Sequence, residues 1–111
     1  MKKKQCPNYY RAFTFNANKY VYGELHTTVT GACFLQEKDQ PLIEVDAYTL
    51  DRYTGRIDAD GNKIYESDML RITKKEHGFE RIYALVVSID SMGYSNLDCY
   101  KKSEMEIMYV Y

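Results

Sequence analysis

The chain has no tryptophan, only two histidines and two prolines, and no apolar run near the roughly 20 residues a bilayer span requires. Its start, MKKKQCPNYY, is basic but has no apolar stretch behind it, so neither a secretory leader nor a membrane anchor is expected. Cys6, Cys33 and Cys99 are odd in number, far apart and without a CxxC pair, which predicts reduced thiols in a cytoplasmic protein and no zinc site. Cys33 and Cys99 each read as a small buried apolar residue. There is no glycine-rich phosphate loop, serine elbow or paired-histidine motif. His26 and His77 have no cysteine, carboxylate or second histidine at catalytic spacing and read as strand-end and turn residues. No cofactor, metal or catalytic residue is therefore assigned.

What is present fits one soluble globular domain. The chain has 111 residues, 45% hydrophobic and 28% charged, enough for a single core and too few for two independent ones. A formal net charge of −1 conceals an asymmetry: residues 1–30 hold five Lys/Arg against one acid, and residues 31–70 hold four against nine. Twelve tyrosines are the compositional outlier, and tyrosine suits both a half-buried sheet and a recognition surface.

Helical periodicity is scarce and strand alternation common. Tyr9 to Phe15 and Tyr20 to Leu25 alternate about a turn at NANK, a hairpin pattern. Thr27 to Leu35 reads as a strand, Leu42 to Val45 as a short one, and Asp46 to Tyr53 fits either a helical turn or a bent strand. Met69 to Thr73 and Phe79 to Ile89 follow, the latter the best candidate for a central strand, with a helix from Glu80 to Ile89 as its competitor. Leu97 to Tyr100 and Glu104 to Tyr111 end the series. The expectation is a mainly β domain of antiparallel hairpins over residues 1–111, with at most one short helix, an amino-terminal hairpin region at 1–50 and a second region at 51–111.

Arg56 to Leu70, RIDADGNKIYESDML, superficially resembles a calcium loop. With Gly61 at the sixth position, Asp58 and Asp60 occupy the third and fifth, but the first is Arg56 and the twelfth Ser67, so two anionic anchors are missing. A turn accounts for more residues, because Asp60-Gly61 is a two-residue hairpin signal. The wider acidic set of Asp46, Asp51, Asp58, Asp60, Glu66 and Asp68 could gather a divalent metal, though such residues more often solvate turns.

The same stretch, RYTGRIDADGNKIYESDML, resembles the signature of the YopX-like family of small phage and prophage proteins through Tyr53, Thr54, Gly55, Asp58, Gly61, Ile64, Tyr65, Glu66 and Asp68. YRAFTFNANKYVYGEL is similar to the family's amino-terminal hairpin through Arg11, Ala12, Tyr20, Val21, Tyr22, Gly23 and Leu25. Ser67 stands where the family has glycine, and the family's closing I-G-N run is absent. The resemblance implies a second half folded as a small SH3-like barrel, a structural task for the signature residues, and no reaction. Asp68 is expected to bind backbone or an arginine.

Two functions follow as expectations. One is a non-enzymatic interaction module in the bacterial host's cytoplasm, binding itself or a host protein, such as a defence nuclease met by the acidic stretch from Glu37 to Asp68. The other is a nucleic-acid-binding accessory protein, with Lys2, Lys3, Lys4, Arg11 and Lys19 on phosphate and Tyr9, Tyr10 and Tyr20 stacking on bases. No membrane partner is expected.

Overall fold

Alternation in the first half translates directly into strands in the computed structural model, which describes residues 4–16 and 19–109. The chain divides into two compact units, one formed by Pro7–Tyr53 and the other by the described residues on either side of it. The fold is mainly β, and among the described residues the only helical segments are two single 3-10 turns. None is long and apolar enough to cross a membrane.

In the first unit, β1 (Tyr10–Phe13), β2 (Tyr20–Thr27), β3 (Cys33–Gln36) and β4 (Ile43–Val45) pair antiparallel in chain order, and β5 (Asp51–Ile57) begins along the other side of β1. Strand side chains alternate between faces. One face therefore collects Ala12, Cys33, Leu35 and Val45, all buried, with Tyr10, Val21, Leu25 and Leu50 packed around them. The segment Asp46 to Tyr53 resolves into both of its possible forms: Asp46 caps a 3-10 turn at Ala47–Thr49 by accepting from the Tyr48 N–H, and β5 starts two residues later.

The second unit takes up the chain at Thr54, in mid-β5. β6 (Lys63–Tyr65) pairs with β5, and a three-stranded antiparallel sheet has the order β8 (Phe79–Val86), β7 (Met69–Glu76), β9 (Met105–Met108). Ile64, Leu70, Ile72, Val87, Leu97 and Met105 form its core. Each fully buried side chain of this kind contributes about 1.5–3 kcal/mol. The sheets are open and no closed barrel forms among the described residues, so of the fold implied by the resemblance the structure shows the mainly β, antiparallel part.

Turn chemistry sets these registers. His77 (φ 49°) and Gly78 (φ 82°) make a two-residue turn with both φ positive, the type whose twist matches its flanking strands, and Glu76 pairs with Phe79 across it. Three other loops share one five-residue closure. In Thr28–Ala32, Asp58–Asn62 and Asp90–Tyr94 the first N–H donates to the last C=O, and the glycine N–H returns to the first C=O at 3.0 Å. The first side chain accepts from the last N–H, through Thr28 Oγ1, Asp58 Oδ1 or Asp90 Oδ1. Gly31, Gly61 and Gly93 have φ of 91°, 86° and 87°, which a Cβ would oppose.

That closure corrects several readings. Thr27 to Leu35 is not one strand, because β2 ends at Thr27 and β3 begins at Cys33 around the Thr28–Gly31 reversal. The corner at Asp60-Gly61 has three residues, Ala59 to Gly61, between Asp58 and Asn62. Phe79 to Val86 is a strand rather than a helix, but an edge strand, and β7 is the central one. Leu97 to Tyr100 is a turn, closed by the Tyr100 N–H on Leu97 C=O at 3.0 Å. Cys6 and Cys33 are buried free thiols, whereas Cys99 is exposed.

Candidate interaction surface

The face of the first sheet opposite its core carries the odd residues of β1 and the even residues of β2. Register sets Phe13 opposite Tyr20 and Arg11 opposite Tyr22. The Phe13 and Tyr20 rings stack at 4.1 Å with an interplanar angle of 17°, and Tyr22 continues the row 6.3 Å beyond Tyr20. The Arg11 guanidinium lies 5.1 Å over the Tyr20 ring, and its Nε donates to Asp51 Oδ2 at 3.1 Å. Tyr9 extends the row and meets Tyr53 edge to face, with centroids 6.1 Å apart. Tyr20 and Tyr22 keep 40% and 37% of their surface in solvent, which makes this a platform rather than a core.

The electrostatics of the platform are mixed and lean acidic. An open groove of about 620 Å³ beside Tyr9 is lined by Glu24, Gln36, Glu37, Lys38 and Asp39. Burial first, then the Glu37 carboxylate and the Tyr22 hydroxyl, raise the pKa of Tyr9 above its ordinary value; burial alone raises that of Tyr53. Both phenols stay neutral donors at physiological pH. Arg11 has an anionic partner in Asp51, so its charge is largely met within the fold.

The signature hairpin is built differently, because its polar groups are directed at backbone. Thr54, buried, donates from Oγ1 to Ile64 C=O at 2.7 Å and accepts from the Arg56 N–H that the positive φ of Gly55 (82°) turns toward it. Arg56 donates to Leu97 C=O and Tyr100 C=O at 3.0 and 2.6 Å, securing the 97–100 turn. Asp58, 1% exposed, accepts from the Asp60 and Asn62 N–H groups at Oδ1 and from Ile107 N–H at Oδ2. Burial alone would raise its pKa, but the N–H donors of Asn62, Ile107 and Asp60 outweigh it and hold the carboxyl below its usual 3.8. Ile64 and Tyr65 enter the core, and Asp68 Oδ2 accepts from Tyr65 N–H at 2.8 Å. Among the described residues, no group of three or more His, Cys, Asp or Glu side chains is placed to hold a metal ion.

Two glycine positions account for themselves. A Cβ on Gly23 would lie 2.5 Å from the backbone of Gln36, so the family's Y-G-x-L glycine is required by close strand approach. Ser67 has φ 73°, the left-handed conformation that glycine adopts freely, inside a turn closed by Asp68 N–H on Tyr65 C=O at 3.1 Å. The backbone conformation suited to the family's glycine is thus kept with serine in its place.

A family model described as YopX protein matches residues 9–108. The chain belongs to the YopX protein family. No curated protein and no solved structure matches it. In this YopX family member the two motif regions separate by role: the signature hairpin builds fold, and the amino-terminal hairpin displays the platform.

Of the proposed contact residues, Tyr9, Arg11 and Tyr20 share the platform with Tyr22, and exposed Lys19 precedes Tyr20. Tyr10 points to the opposite face and packs on the core. Lys4 is exposed but belongs to the other compact unit, and Lys2 and Lys3 lie outside the described residues. Sequence reasoning gave Phe13 no site role, named Asp51 only within the acidic set, and named Arg56 only as the cation at the head of the calcium-like loop. The odd-residue alternation of β1 pointed to Phe13, but nothing local announced that β5 would bring Asp51 to Arg11.

Proposed function

We propose that this YopX family member is a non-enzymatic interaction module of a phage or prophage, working in the cytoplasm of its bacterial host by associating with itself and with a host protein. The observation that carries the reading is the exposed row of Tyr20 and Tyr22 with Arg11 held beside it by Asp51. Rigid aromatic rings with polar tips and an arginine are the residue types that dominate protein recognition, and few rotamers are lost on binding them. The acidic groove beside Tyr9 supports a partner surface carrying basic residues, which is what a nucleic-acid-cutting host defence protein presents.

Affinity capture from an infected or lysogenic host, with the intact complex weighed, tests this. A host protein retained by the wild type and lost with Tyr20→Ala and Tyr22→Ala supports the platform; retention by both variants refutes it. Nucleic-acid binding is the second reading, favoured by the part-exposed Tyr20 next to Lys19 and opposed by the Phe13 ring already stacked on Tyr20, the Arg11–Asp51 pair and the carboxylates of the groove. A gel shift with single-stranded DNA and RNA decides it: a shift that weakens steeply with salt favours that reading, and none at low salt removes it.

A further inference from the structure

Strand β8 is an edge of unusual length. The outermost strands β4, β6 and β9 have three, three and four residues, whereas β8 has eight. Long edges offer a template for pairing and are ordinarily protected by lysine, proline or a bulge. β8, FERIYALV, has no lysine, proline or bulge and carries two charges, Glu80 and Arg81, while Phe79, Ile82 and Val86 keep 75%, 52% and 58% of their surface in solvent.

The hydrogen-bonding phase of the edge follows from its turn. A two-residue turn makes Glu76 and Phe79 the closing hydrogen-bonded pair, and bonding then alternates. Phe79, Arg81, Tyr83 and Leu85 direct N–H and C=O to β7, while Glu80, Ile82, Ala84 and Val86 direct theirs outward. The Val86 carbonyl is already occupied, accepting from Asn96 Nδ2 at 3.0 Å. The free outward groups on both sides of each residue are those of Glu80, Ile82 and Ala84.

We infer that a second copy of this chain pairs antiparallel along β8, with the two-fold axis at Ile82, to make one continuous six-stranded sheet from two three-stranded ones. In that register Ile82 meets Ile82 and Glu80 meets Ala84 of the second copy, completing about six backbone bonds across the axis. On the other face Phe79 meets Leu85 and Arg81 meets Tyr83, a ring that Arg81 already approaches at 5.6 Å within its own chain. An axis at Arg81 would oppose two guanidinium groups. An axis at Tyr83 would ask the engaged Val86 carbonyl to bond again. Only the Ile82 register uses the free groups without opposing like charges.

The inference deepens the self-association proposed above and rests on it. The test is the solution mass of the full chain, 13.1 kDa per copy, by light scattering for wild type, Ile82→Lys and Ile82→Glu, alone and mixed. The expected wild-type mass is an even multiple of the chain, halved in each variant because like charges meet on the axis, and restored when I82K and I82E are mixed. A monomeric wild type overturns self-association itself. A wild-type assembly that both variants retain leaves self-association standing and overturns the β8 edge. Halved variants whose mixture stays halved overturn the Ile82 axis. The exposed site and the rescue by mixing separate lost pairing from lost folding.

Discussion

Replacing Asp58 with asparagine tests whether the loop once legible as a calcium site is a structural clamp. The carboxylate is 1% exposed and takes three backbone N–H bonds, two at Oδ1 and one at Oδ2. Asparagine can keep its oxygen toward Asp60 and Asn62, but its amide N–H₂ then faces the Ile107 N–H, donor against donor. A buried donor left unpaired costs about 1–3 kcal/mol, and weakening two charge-assisted bonds to neutral ones adds about 1 kcal/mol. Asp58→Asn should therefore lose about 2–4 kcal/mol at pH 7, measured by urea unfolding, with protection of the Ile107 amide against hydrogen exchange falling alongside. Because the folded pKa is depressed, this stability is full above the unfolded value near 3.8 and is lost as pH falls through the folded value. The gap between wild type and variant should narrow in acid. A variant within about 0.5 kcal/mol of wild type at pH 7, or a gap that widens in acid, would refute the clamp.

Other outcomes follow from the same geometry. Ser67→Gly should raise stability by about 0.5–1 kcal/mol, since relief of a left-handed serine exceeds the added chain entropy, and a lower melting temperature would contradict this. Gly23→Ala should cost about 3 kcal/mol or more, because its Cβ would lie 2.5 Å from Gln36 backbone; an unchanged melt would show that β3 yields. Millimolar calcium should leave the melting temperature unchanged, since binding at Asp58 would have to break its N–H bonds, and a clear rise would reinstate the metal reading.

Legibility tracked the range of the interaction. Most of the strands, the turn character at His77 and the family signature are written in adjacent residues, and they were readable for that reason. The Thr28–Gly31 reversal was hidden because threonine and valine favour strands, while the carbonyl and hydroxyl that close the loop belong to the backbone and to Thr28 alone. β8 looked central from its apolar run, yet edge or centre depends on where β9 returns, and that pairing joins Met69 to Met108 across the chain. Asp58 and Asp60 looked alike in sequence. They differ in whether N–H groups converge on the carboxylate, and one of the donors, Ile107, is distant in sequence. For the platform, its tyrosines were legible as a composition and its Arg11–Asp51 pairing was not.

The five-residue closure used by three loops separates frame from tip. Its shared bonds involve the first, fourth and fifth residues; the third adds an N–H in the two aspartate versions and, in the threonine version, the Thr30 hydroxyl at 3.0 Å from Thr28 Oγ1, so the second side chain in every loop, and the third in the aspartate loops, takes no part in holding it. Val29 and Met92, at those tips, are 106% and 66% exposed. Such positions are where a lineage can change chemical identity at little cost to its scaffold, and where an engineer could graft a short epitope or a fluorophore-bearing cysteine while leaving Thr28, Asp58, Asp90 and their glycines untouched.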